Sequence, residues 1–324
     1  MNTQSELVTP AFRALSAALG QDPLRVQGPG GNTSIKSDDV MWIKASGTEL
    51  ANAETQDIFV PVDRKAALAE AREEAGDGSC KTTVIDPAIK LRPSIETTFH
   101  AALDFKVVLH THSIATLTHA VSTEGLEAAK TKLDGLPFAI VPYAKPGLPL
   151  TKEILARTGG GVRVFILQNH GLICCGDSVE DSAALIEDVE NRLMMTLAEP
   201  NYETPARQAP DGFEWHEAGW IAQDTRAQDL AINGTYYPDH VVFLGPALPT
   251  ADHAGNPPAI LHKGQGVAIK TDATASQRAM LKCISDLLVR LPKEWSVKPI
   301  GDAAEAELLD WDAEKYRQAL AARG

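Results

Sequence analysis

Two histidines separated by one residue close a short apolar segment of the chain. His110 and His112 follow the run Phe105–Leu109, which is typical of a β-strand. Side chains two residues apart on a strand project from the same face, so both imidazoles can reach one point. His170 closes a second apolar run that begins with Val164–Leu167. A catalytic zinc ion needs three protein ligands and one open position, and these three histidines therefore predict a site for Zn²⁺ or a similar divalent ion.

The alternative is that these histidines bind no metal. The chain has nine histidines, and two of them on an edge strand at the surface would produce the same spacing. The spacing alone leaves both interpretations open. Six histidines have no partner at ligand spacing and are interpreted as surface residues or satisfied core residues: His100, His119, His216, His240, His253 and His262.

The composition is that of an ordinary soluble globular protein, with 44% hydrophobic and 23% charged residues in 324. The formal net charge of −13 argues against a nucleic-acid partner, which calls for a basic surface. No apolar run reaches the roughly 18 residues of a membrane span, and the polar N-terminus lacks the pattern of a signal peptide. Four cysteines in a chain of this length do not make a disulfide framework. These features predict a cytoplasmic protein without a membrane partner.

Two turns rich in glycine and hydroxyl residues flank one predicted hairpin. Gly28–Ser34 leads into its first strand, and Lys44–Thr48 leaves its second strand. Glycine lets the backbone approach a ligand closely, and successive N–H groups in such a turn can hold an anion. The sequence is neither a Walker loop nor a dinucleotide fingerprint, because no Gly-Lys-Ser/Thr and no helix follows. Each turn alone is typical of an ordinary loop, whereas the two together favour one shared anion site.

A carboxylate lies at the start of the next predicted helix. The segment Pro93–Glu96 opens this helix, with Ser94 placed to be its N-cap. Glu96 has an ordinary role available, as a first-turn acid that complements the helix dipole. It also shortly precedes the His110 strand in sequence. If the helix folds back beside that strand, Glu96 can act as a metal ligand, as a general base, or as each in turn.

Helical and strand patterns alternate along the middle of the chain. The alternation predicts a three-layer α/β/α core, and the hairpins favour a mixed, mainly antiparallel sheet. Helices are predicted at 5–19, 64–75, 94–104, 114–121, 150–158, 178–198, 275–291 and 311–322. Strands are predicted at 32–36, 40–44, 106–110, 137–142, 162–168, 172–175, 240–244 and 266–270. A shift in composition after Pro200 predicts a domain at 1–205 and a C-terminal extension at 206–324 that packs on it.

Five short motifs follow one another in an order that resembles a known protein family. Gly-Gly-Asn-x-Ser, Ala-Ser-Gly, Pro-Ser-x-Glu, His-x-His and Asn-His-Gly lie between residues 10 and 200, as in the class II aldolase/adducin family. The segment Tyr236–Phe243 and the last predicted helices resemble a longer branch, the aldolase part of rhamnulose-1-phosphate aldolase/alcohol dehydrogenase fusions. The chain is also similar to fuculose-1-phosphate aldolase. The resemblance implies the three-layer class II aldolase-like fold.

The resemblance also implies a role for each matching residue. The three histidines would bind zinc, or another divalent ion such as Mn²⁺. Glu96 would be a fourth ligand that leaves the metal when substrate binds and then acts as general base. Tyr143 would donate a proton to the aldehyde-derived oxygen in the site of a neighbouring subunit, since such proteins are commonly symmetric tetramers. The implied metal ligands are His110, His112, His170 and Glu96, and the implied phosphate pocket consists of Asn32, Ser46, Gly47 and Ser94.

The implied reaction is metal-dependent cleavage of a carbon–carbon bond. The lyase would split a ketose 1-phosphate, similar to rhamnulose or fuculose phosphate, into dihydroxyacetone phosphate and an aldehyde through a metal-stabilised enediolate. Epimerisation of a pentulose phosphate and decarboxylation of a sugar acid use the same metal and base, and both stay open. A non-catalytic domain like the adducin head is disfavoured, because that branch lacks the metal histidines. The C-terminal extension has no catalytic motif, and its pairs His216-Glu217 and Asp239-His240 are interpreted as polar residues of the surface.

One position departs from the family pattern. Aldolases of the family carry a second serine in Pro-Ser-Ser-Glu, where this chain has Ile95. The phosphate pocket thereby loses one hydroxyl, which leaves open whether the sugar substrate is phosphorylated. Lys36 or Lys44 would compensate if either faced the pocket, and otherwise each is a solvated strand residue.

Overall fold

Strands and helices alternate along the chain in the computed structural model, which describes residues 7–197, 200, 202–252 and 255–322. The strands are β1 (Asn32–Lys36), β2 (Val40–Lys44), β3 (Phe59–Asp63), β4 (Val107–Thr111), β5 (Phe138–Val141), β6 (Val164–Leu167), β7 (Gly171–Gly176), β8 (Phe213–Trp215), β9 (Ala259–His262) and β10 (Gly266–Lys270). The helices are α1 (Pro10–Gln21), α2 (Arg64–Ala71), α3 (Thr97–Ala102), α4 (Ile114–Ala120), α5 (Thr123–Lys132), α6 (Leu148–Leu155), α7 (Val179–Leu193), α8 (Thr225–Asn233), α9 (Pro238–Leu244), α10 (Ala275–Leu288), α11 (Asp302–Leu309) and α12 (Asp312–Ala321).

A mixed seven-stranded sheet forms the centre of the molecule, with strand order β3-β2-β1-β4-β7-β6-β5. Strands β5 and β6 pair in parallel, and the other neighbouring pairs are antiparallel. Alternate residues of β4 face opposite sides: Leu109 packs in the cluster of α1, α5 and α7, and Val108 packs with α3 and α6. Helices therefore cover both faces of the sheet. The predicted three-layer α/β/α fold with a mainly antiparallel sheet is confirmed.

A second apolar cluster joins the C-terminal residues to the first part of the chain. The three-stranded sheet β8-β10-β9 packs with α9 and α10, and the same cluster contains Ile114 and Leu117 of α4 and Val121 directly after it. Asn169 ties the two parts together further, because its side-chain amide donates to the carbonyl oxygens of Tyr236 and Lys298. These contacts place C-terminal residues beside the strand ends that carry the histidines.

Most predicted elements are present, with ends shifted by a few residues. The predicted helix 178–198 ends at Leu193, and its residue 198 lies outside the described residues, as do residues 5 and 6 of the first predicted helix and His253. Several short elements were not predicted from the sequence: β3, β8, β9, α5, α8 and α11. Within the described ranges no helix is both long enough and apolar enough to span a bilayer.

The predicted strand at 240–244 is wrong, because this segment belongs to the helix α9. Pro238 occupies the first turn of α9, where a missing backbone N–H costs nothing and the fixed φ angle favours a helix. All seven residues of α9 are buried. A short, wholly buried apolar run shows no periodicity that separates a strand from a helix, and this is why the pattern misled.

Candidate metal centre

The central sheet brings the three predicted metal ligands to one edge. His110 lies on β4, and His112 follows the last residue of that strand. His170 lies in the turn between β6 and β7, the strand that pairs with β4. The three side chains offer ligand atoms that all lie within 4.8 Å of one another, and all three residues are buried. The structure thus brings together the cluster predicted from the spacing.

Polar contacts at the far side of two rings indicate which nitrogen faces the centre. Nδ1 of His110 donates to the carbonyl oxygen of Leu172 at 3.0 Å, so Nε2 carries the lone pair. Nδ1 of His112 lies 3.3 Å from Oδ2 of Asp239, which likewise leaves Nε2 as the free ligand atom. Burial lowers the pKa of His110 and lowers the pKa of His170 to about 3. Those two rings are therefore neutral at neutral pH, the form that binds a metal.

Glu96 lies between two of the histidines. Its Oε2 is 3.4 Å from Nε2 of His110, and its Oε1 is 3.6 Å from Nε2 of His170. The side chain is buried. Burial raises the pKa of Glu96. The positive charges that His110 and His170 carry when protonated in acid, together with the amide of Asn32, lower it further, so the net pKa lies below its ordinary value. Glu96 is thus an ionised carboxylate beside neutral imidazoles.

The residues at this position fit a divalent cation. Among the described residues, Oε1 of Glu96 and Nε2 of His110 are buried and have no hydrogen-bond partner. Burying the negative charge of a carboxylate costs free energy, and neutral rings with unpartnered nitrogen lone pairs do not offset that cost. A bound positive charge would compensate it. Three imidazole nitrogens and one carboxylate oxygen form a ligand set that zinc accepts.

Glu96 is positioned by a buried hydrogen-bond network. The side-chain amide of Asn32 donates to Oε2 of Glu96 at 2.8 Å and to Oγ of Ser94 at 3.1 Å. Nε2 of His100 donates to Oδ1 of Asn32, and Nδ1 of His100 accepts from the Ser34 hydroxyl at 2.7 Å. Asn32 lies opposite His110 in the pairing of β1 with β4, which explains why the network lies behind the histidines. His100 is thus a satisfied core residue, one of the two interpretations predicted for it, and its part in holding Asn32 was not predicted.

The start of α3 differs from the prediction. Glu96, and not Ser94, is the N-cap residue of α3. The Ser94 hydroxyl instead accepts from the backbone N–H of Glu96 at 3.2 Å and from the Asn32 amide. Because this turn precedes the helix, the Glu96 side chain is directed towards the histidines instead of capping α3.

A small cavity of about 30 Å³ adjoins the histidines. Besides Glu96, His112 and His170, it is lined by all four residues of the predicted phosphate pocket: Asn32, Ser46, Gly47 and Ser94. The two glycine-rich turns therefore meet at one place, as the sequence indicated. Ile95 lines this small cavity and also a larger cavity of about 510 Å³. The two cavities share Ser46 and Pro146 as well.

The two lysines considered as substitutes for the missing hydroxyl are both buried, so neither is a solvated strand residue. Lys44 lines the small cavity, and its Nζ donates to the carbonyl oxygens of Pro29 and Gly31 at 2.8 and 3.0 Å. Burial lowers the pKa of Lys44 to about 7. Nζ of Lys36 donates to the carbonyl oxygen of His100. Lys44 alone of this pair lies at the cavity.

Tyr143 lies away from both cavities within its own chain. It follows β5, and its hydroxyl is buried without a hydrogen-bond partner in the described part of the chain. Burial and the nearby carboxylates of Glu305, Glu307 and Glu314 raise the pKa of Tyr143. The phenol therefore stays protonated at neutral pH.

Residues from beyond the predicted domain reach the cavity. Asp239 of α9 and Arg317 of α12 both line it, and both are buried. The interpretation of Asp239-His240 as a surface pair was therefore wrong, because α9 is a buried helix. The side chain of Leu320 on α12 packs where a Cβ on Gly47 would lie, so α12 covers the glycine turn.

A three-layer fold with three histidines and a carboxylate at one sheet edge is the arrangement that the resemblance to the class II aldolase/adducin family implied. Residues 14–197 match the family model described as class II aldolase and adducin N-terminal domain, which is more than half of the chain. The chain belongs to this family.

Relatives within the family differ in their activities. A protein of Bacillus subtilis named as the uncharacterized oxidoreductase YuxG is 30% identical over 185 residues, 51% of this chain and 26% of that protein. A 3-oxo-tetronate 4-phosphate decarboxylase of Escherichia coli is 33% identical over 113 residues, 31% of this chain and 52% of that protein. The L-fuculose phosphate aldolase of Methanocaldococcus jannaschii is 28% identical over 180 residues, 53% of this chain and 86% of that protein. The chain thus matches about a quarter of the length of the first of these relatives and about half of the length of the second.

A solved structure shares the fold. The N-terminal class II aldolase domain of a conserved protein from Thermoplasma acidophilum superposes with a TM-score of 0.51 at 27% identity. The superposition covers 60% of this chain and 93% of that domain.

Proposed function

We propose that this chain is a zinc-dependent aldolase that cleaves a ketose 1-phosphate into dihydroxyacetone phosphate and an aldehyde. The observation that carries the proposal is the position of Glu96, a buried, ionised carboxylate 3.4 Å from His110 and 3.6 Å from His170. If Glu96 had a purely structural role, we would expect both of its carboxylate oxygens to accept hydrogen bonds from neighbouring residues. Oε1 of Glu96 has no hydrogen-bond partner among the described residues. Such a carboxylate can bind the metal, and it can leave the metal and take up a proton as a general base.

His110, His112 and His170 would hold the metal, with Glu96 in the fourth position until substrate arrives. When bound, the ion would supply Lewis-acid stabilisation of the negative charge that develops on the carbonyl oxygen of the substrate. Glu96, once released, remains beside the reacting carbon because Asn32 holds its other oxygen. In the direction of carbon–carbon bond formation, ionised Glu96 would remove the proton from the carbon of dihydroxyacetone phosphate that attacks the aldehyde. Cleavage is the reverse, in which the protonated carboxyl group returns this proton to the enediolate carbon.

The anionic end of the substrate would bind at the glycine turns. The hydroxyls of Ser46 and Ser94, the Asn32 amide and the backbone at Gly47 meet at the small cavity. Successive N–H groups and hydroxyls of this kind bind phosphate oxygens. The small cavity adjoins the cavity of about 510 Å³ past Ile95, and the rest of the substrate would extend into it.

In the direction of carbon–carbon bond formation, Tyr143 would donate a proton to the oxygen of the aldehyde, in the site of another copy of the chain. Its raised pKa keeps the proton on the phenol. The hydroxyl is buried in its own chain without a partner among the described residues, so this role requires the loop after β5 to move outward in the oligomer. The proposal therefore includes a homo-oligomer in which the loop after β5 reaches a neighbouring site.

Decarboxylation of a sugar acid is the second candidate. The 33% identity to a 3-oxo-tetronate 4-phosphate decarboxylase exceeds the 28% identity to the fuculose phosphate aldolase, although over a shorter stretch. Both reactions leave a carbanion next to a carbonyl and use the same metal and acid. Ile95 in place of a phosphate-pocket serine is compatible with either substrate.

The test is a product analysis of the purified chain with zinc supplied. A panel of ketose 1-phosphates and sugar acids is incubated and assayed for dihydroxyacetone phosphate, CO₂ and isomerised sugar. Equal amounts of dihydroxyacetone phosphate and aldehyde support the aldolase, and CO₂ release supports the decarboxylase. Glu96→Gln should lower kcat by about 10²-fold or more while zinc stays bound. The matched control is Glu127→Gln on the exposed face of α5, which should leave kcat unchanged.

A further inference from the structure

His112 has a buried carboxylate partner that does not belong to the family domain. Oδ2 of Asp239 lies 3.3 Å from Nδ1 of His112, and both side chains are buried. Asp239 lies on α9, past residue 197 where the family match ends. A carboxylate on the outer nitrogen of a metal-binding histidine fixes its tautomer and ring orientation.

The glycine-rich turn leaves room for this contact. A Cβ on Gly30 would lie 2.7 Å from Nδ1 of His112 and 2.9 Å from Oδ2 of Asp239, so any side chain there would push the pair apart. The φ angle of Gly30 is not in the left-handed region, so backbone conformation is not the reason for glycine at this position. The close approach of His112 to Asp239 is the requirement that Gly30 meets.

Asp239 is itself held in place from the last helix. Arg317 of α12 donates from Nη2 to Oδ2 of Asp239 at 3.1 Å, and its Nη1 lies 2.9 Å from Oδ1. Glu314, one turn before, accepts from Nη1 of Arg317 at 2.9 Å. A bidentate pair of this kind fixes the carboxylate plane. Both oxygens of the Asp239 carboxylate therefore contact Arg317, and Oδ2 also faces Nδ1 of His112.

We propose that Asp239 is a positioning residue of the metal centre, held by Arg317, so that residues beyond the family domain complete the site. The inference rests on the proposed metal-dependent function. Asp239 keeps the proton of His112 on Nδ1 and turns Nε2 towards the other two histidines. The role of α9 and α12 is then to orient a ligand as well as to cover the cavity.

Zinc affinity of the full chain tests the proposal, measured by competition with a chromophoric chelator. Asp239→Asn removes the charge that orients His112 and should weaken zinc binding about 10- to 100-fold. Gly30→Ala keeps the charge but separates the pair, and should weaken binding in the same range. Asp229→Asn makes the same charge change at an exposed position of α8 and should leave the affinity unchanged. Circular dichroism establishes that each variant is folded.

The visible spectrum of bound Co²⁺ provides a second readout that a purely structural role of Asp239 would not move. The spectrum should change in Asp239→Asn and Gly30→Ala and match the wild type in the control. Wild-type affinity and spectrum in folded Gly30→Ala and Asp239→Asn would overturn the inference while leaving the proposed function intact. If Asp239→Asn does not fold, Gly30→Ala decides. A wild-type chain that binds no zinc would overturn the proposed function and this inference together.

Discussion

Asn32 donates a hydrogen bond of 2.8 Å from its side-chain amide to the carboxylate of Glu96. The two residues are far apart in sequence and meet because β1 pairs with β4 and α3 folds back over the strand ends. Nε2 of His100 donates to Oδ1 of Asn32 and so fixes the orientation of this amide. The amide nitrogen in turn holds Oε2 of Glu96 in one position. The remaining oxygen is directed towards His170.

Replacing Asn32 should impair the reaction more than metal binding. Asn32→Ala frees one oxygen of Glu96 and lets the carboxylate rotate away from the reacting carbon, so kcat should fall about tenfold to a hundredfold. The three histidines are untouched, and zinc should stay bound. Steady-state kinetics with a parallel zinc determination checks this. Asn233→Ala at the exposed end of α8 is the control, and equal kcat values in both variants would contradict the role of Asn32.

Replacing His100 should lower stability. His100→Leu leaves Oδ1 of Asn32 and the Ser34 hydroxyl buried without their partner. Each unsatisfied buried group costs about 1–3 kcal/mol, so the free energy of unfolding should fall by at least that amount. Urea denaturation of the wild type, His100→Leu and the partly exposed His262→Ala checks this. An unchanged midpoint in His100→Leu would show that the network is not maintained in solution.

Restoring the family serine should reveal whether the substrate carries a phosphate. Ile95 lines both cavities beside Ser94. Ile95→Ser adds a hydroxyl to the anion site, and for a phosphorylated substrate KM should fall about tenfold or more, since a hydrogen bond to a charged group contributes about 1.5 kcal/mol or more. KM for the sugar without its phosphate should not fall. Identical changes for both sugars would contradict the placement of the phosphate at this turn.

Acid should destabilise the protein through a buried histidine outside the metal centre. Burial lowers the pKa of His240 from 6.5 to about 4. Between these values the unfolded chain binds a proton that the folded chain does not, so the stability that neutral His240 contributes is present above pH 6.5 and is lost as the pH falls towards 4. His240→Leu should reduce the slope of unfolding free energy against pH by up to about 1.4 kcal/mol per pH unit in this window. Urea denaturation at a series of pH values measures the slope. A slope equal to that of the wild type would show that His240 is already protonated in the folded protein.

The sequence predicted the layers of the fold and the histidine cluster because both depend on local patterns. His110 and His112 end a strand, and strand periodicity alone directs them to one face. The anion turns were identified from their glycine and hydroxyl residues, and the structure brings Asn32, Ser46, Gly47 and Ser94 to one cavity. Each of these features can be recognised within a few residues.

The parts that were missed depend on contacts between distant segments. Asp239 directly precedes the run 240–244 that was predicted to be a strand, and only the packing of this segment as α9 directs the carboxylate to His112. His100 lies on α3 with no partner nearby in sequence, and its partner Asn32 comes from β1. One signal in the sequence could have pointed to Asp239: an acidic residue stands next to a short apolar segment. If that segment is buried, the acid is buried with it and needs a partner.

The most direct test of the metal centre is the zinc content of the purified chain and of its histidine variants. The proposed metal centre predicts one zinc ion per chain for the wild type and for His262→Ala, a histidine on β9. It predicts loss of the bound ion in His110→Ala and in His170→Ala, with the fold retained by circular dichroism. A wild-type chain that takes up no zinc, Mn²⁺ or other divalent ion on titration would contradict it, as would histidine variants that bind zinc with unchanged affinity.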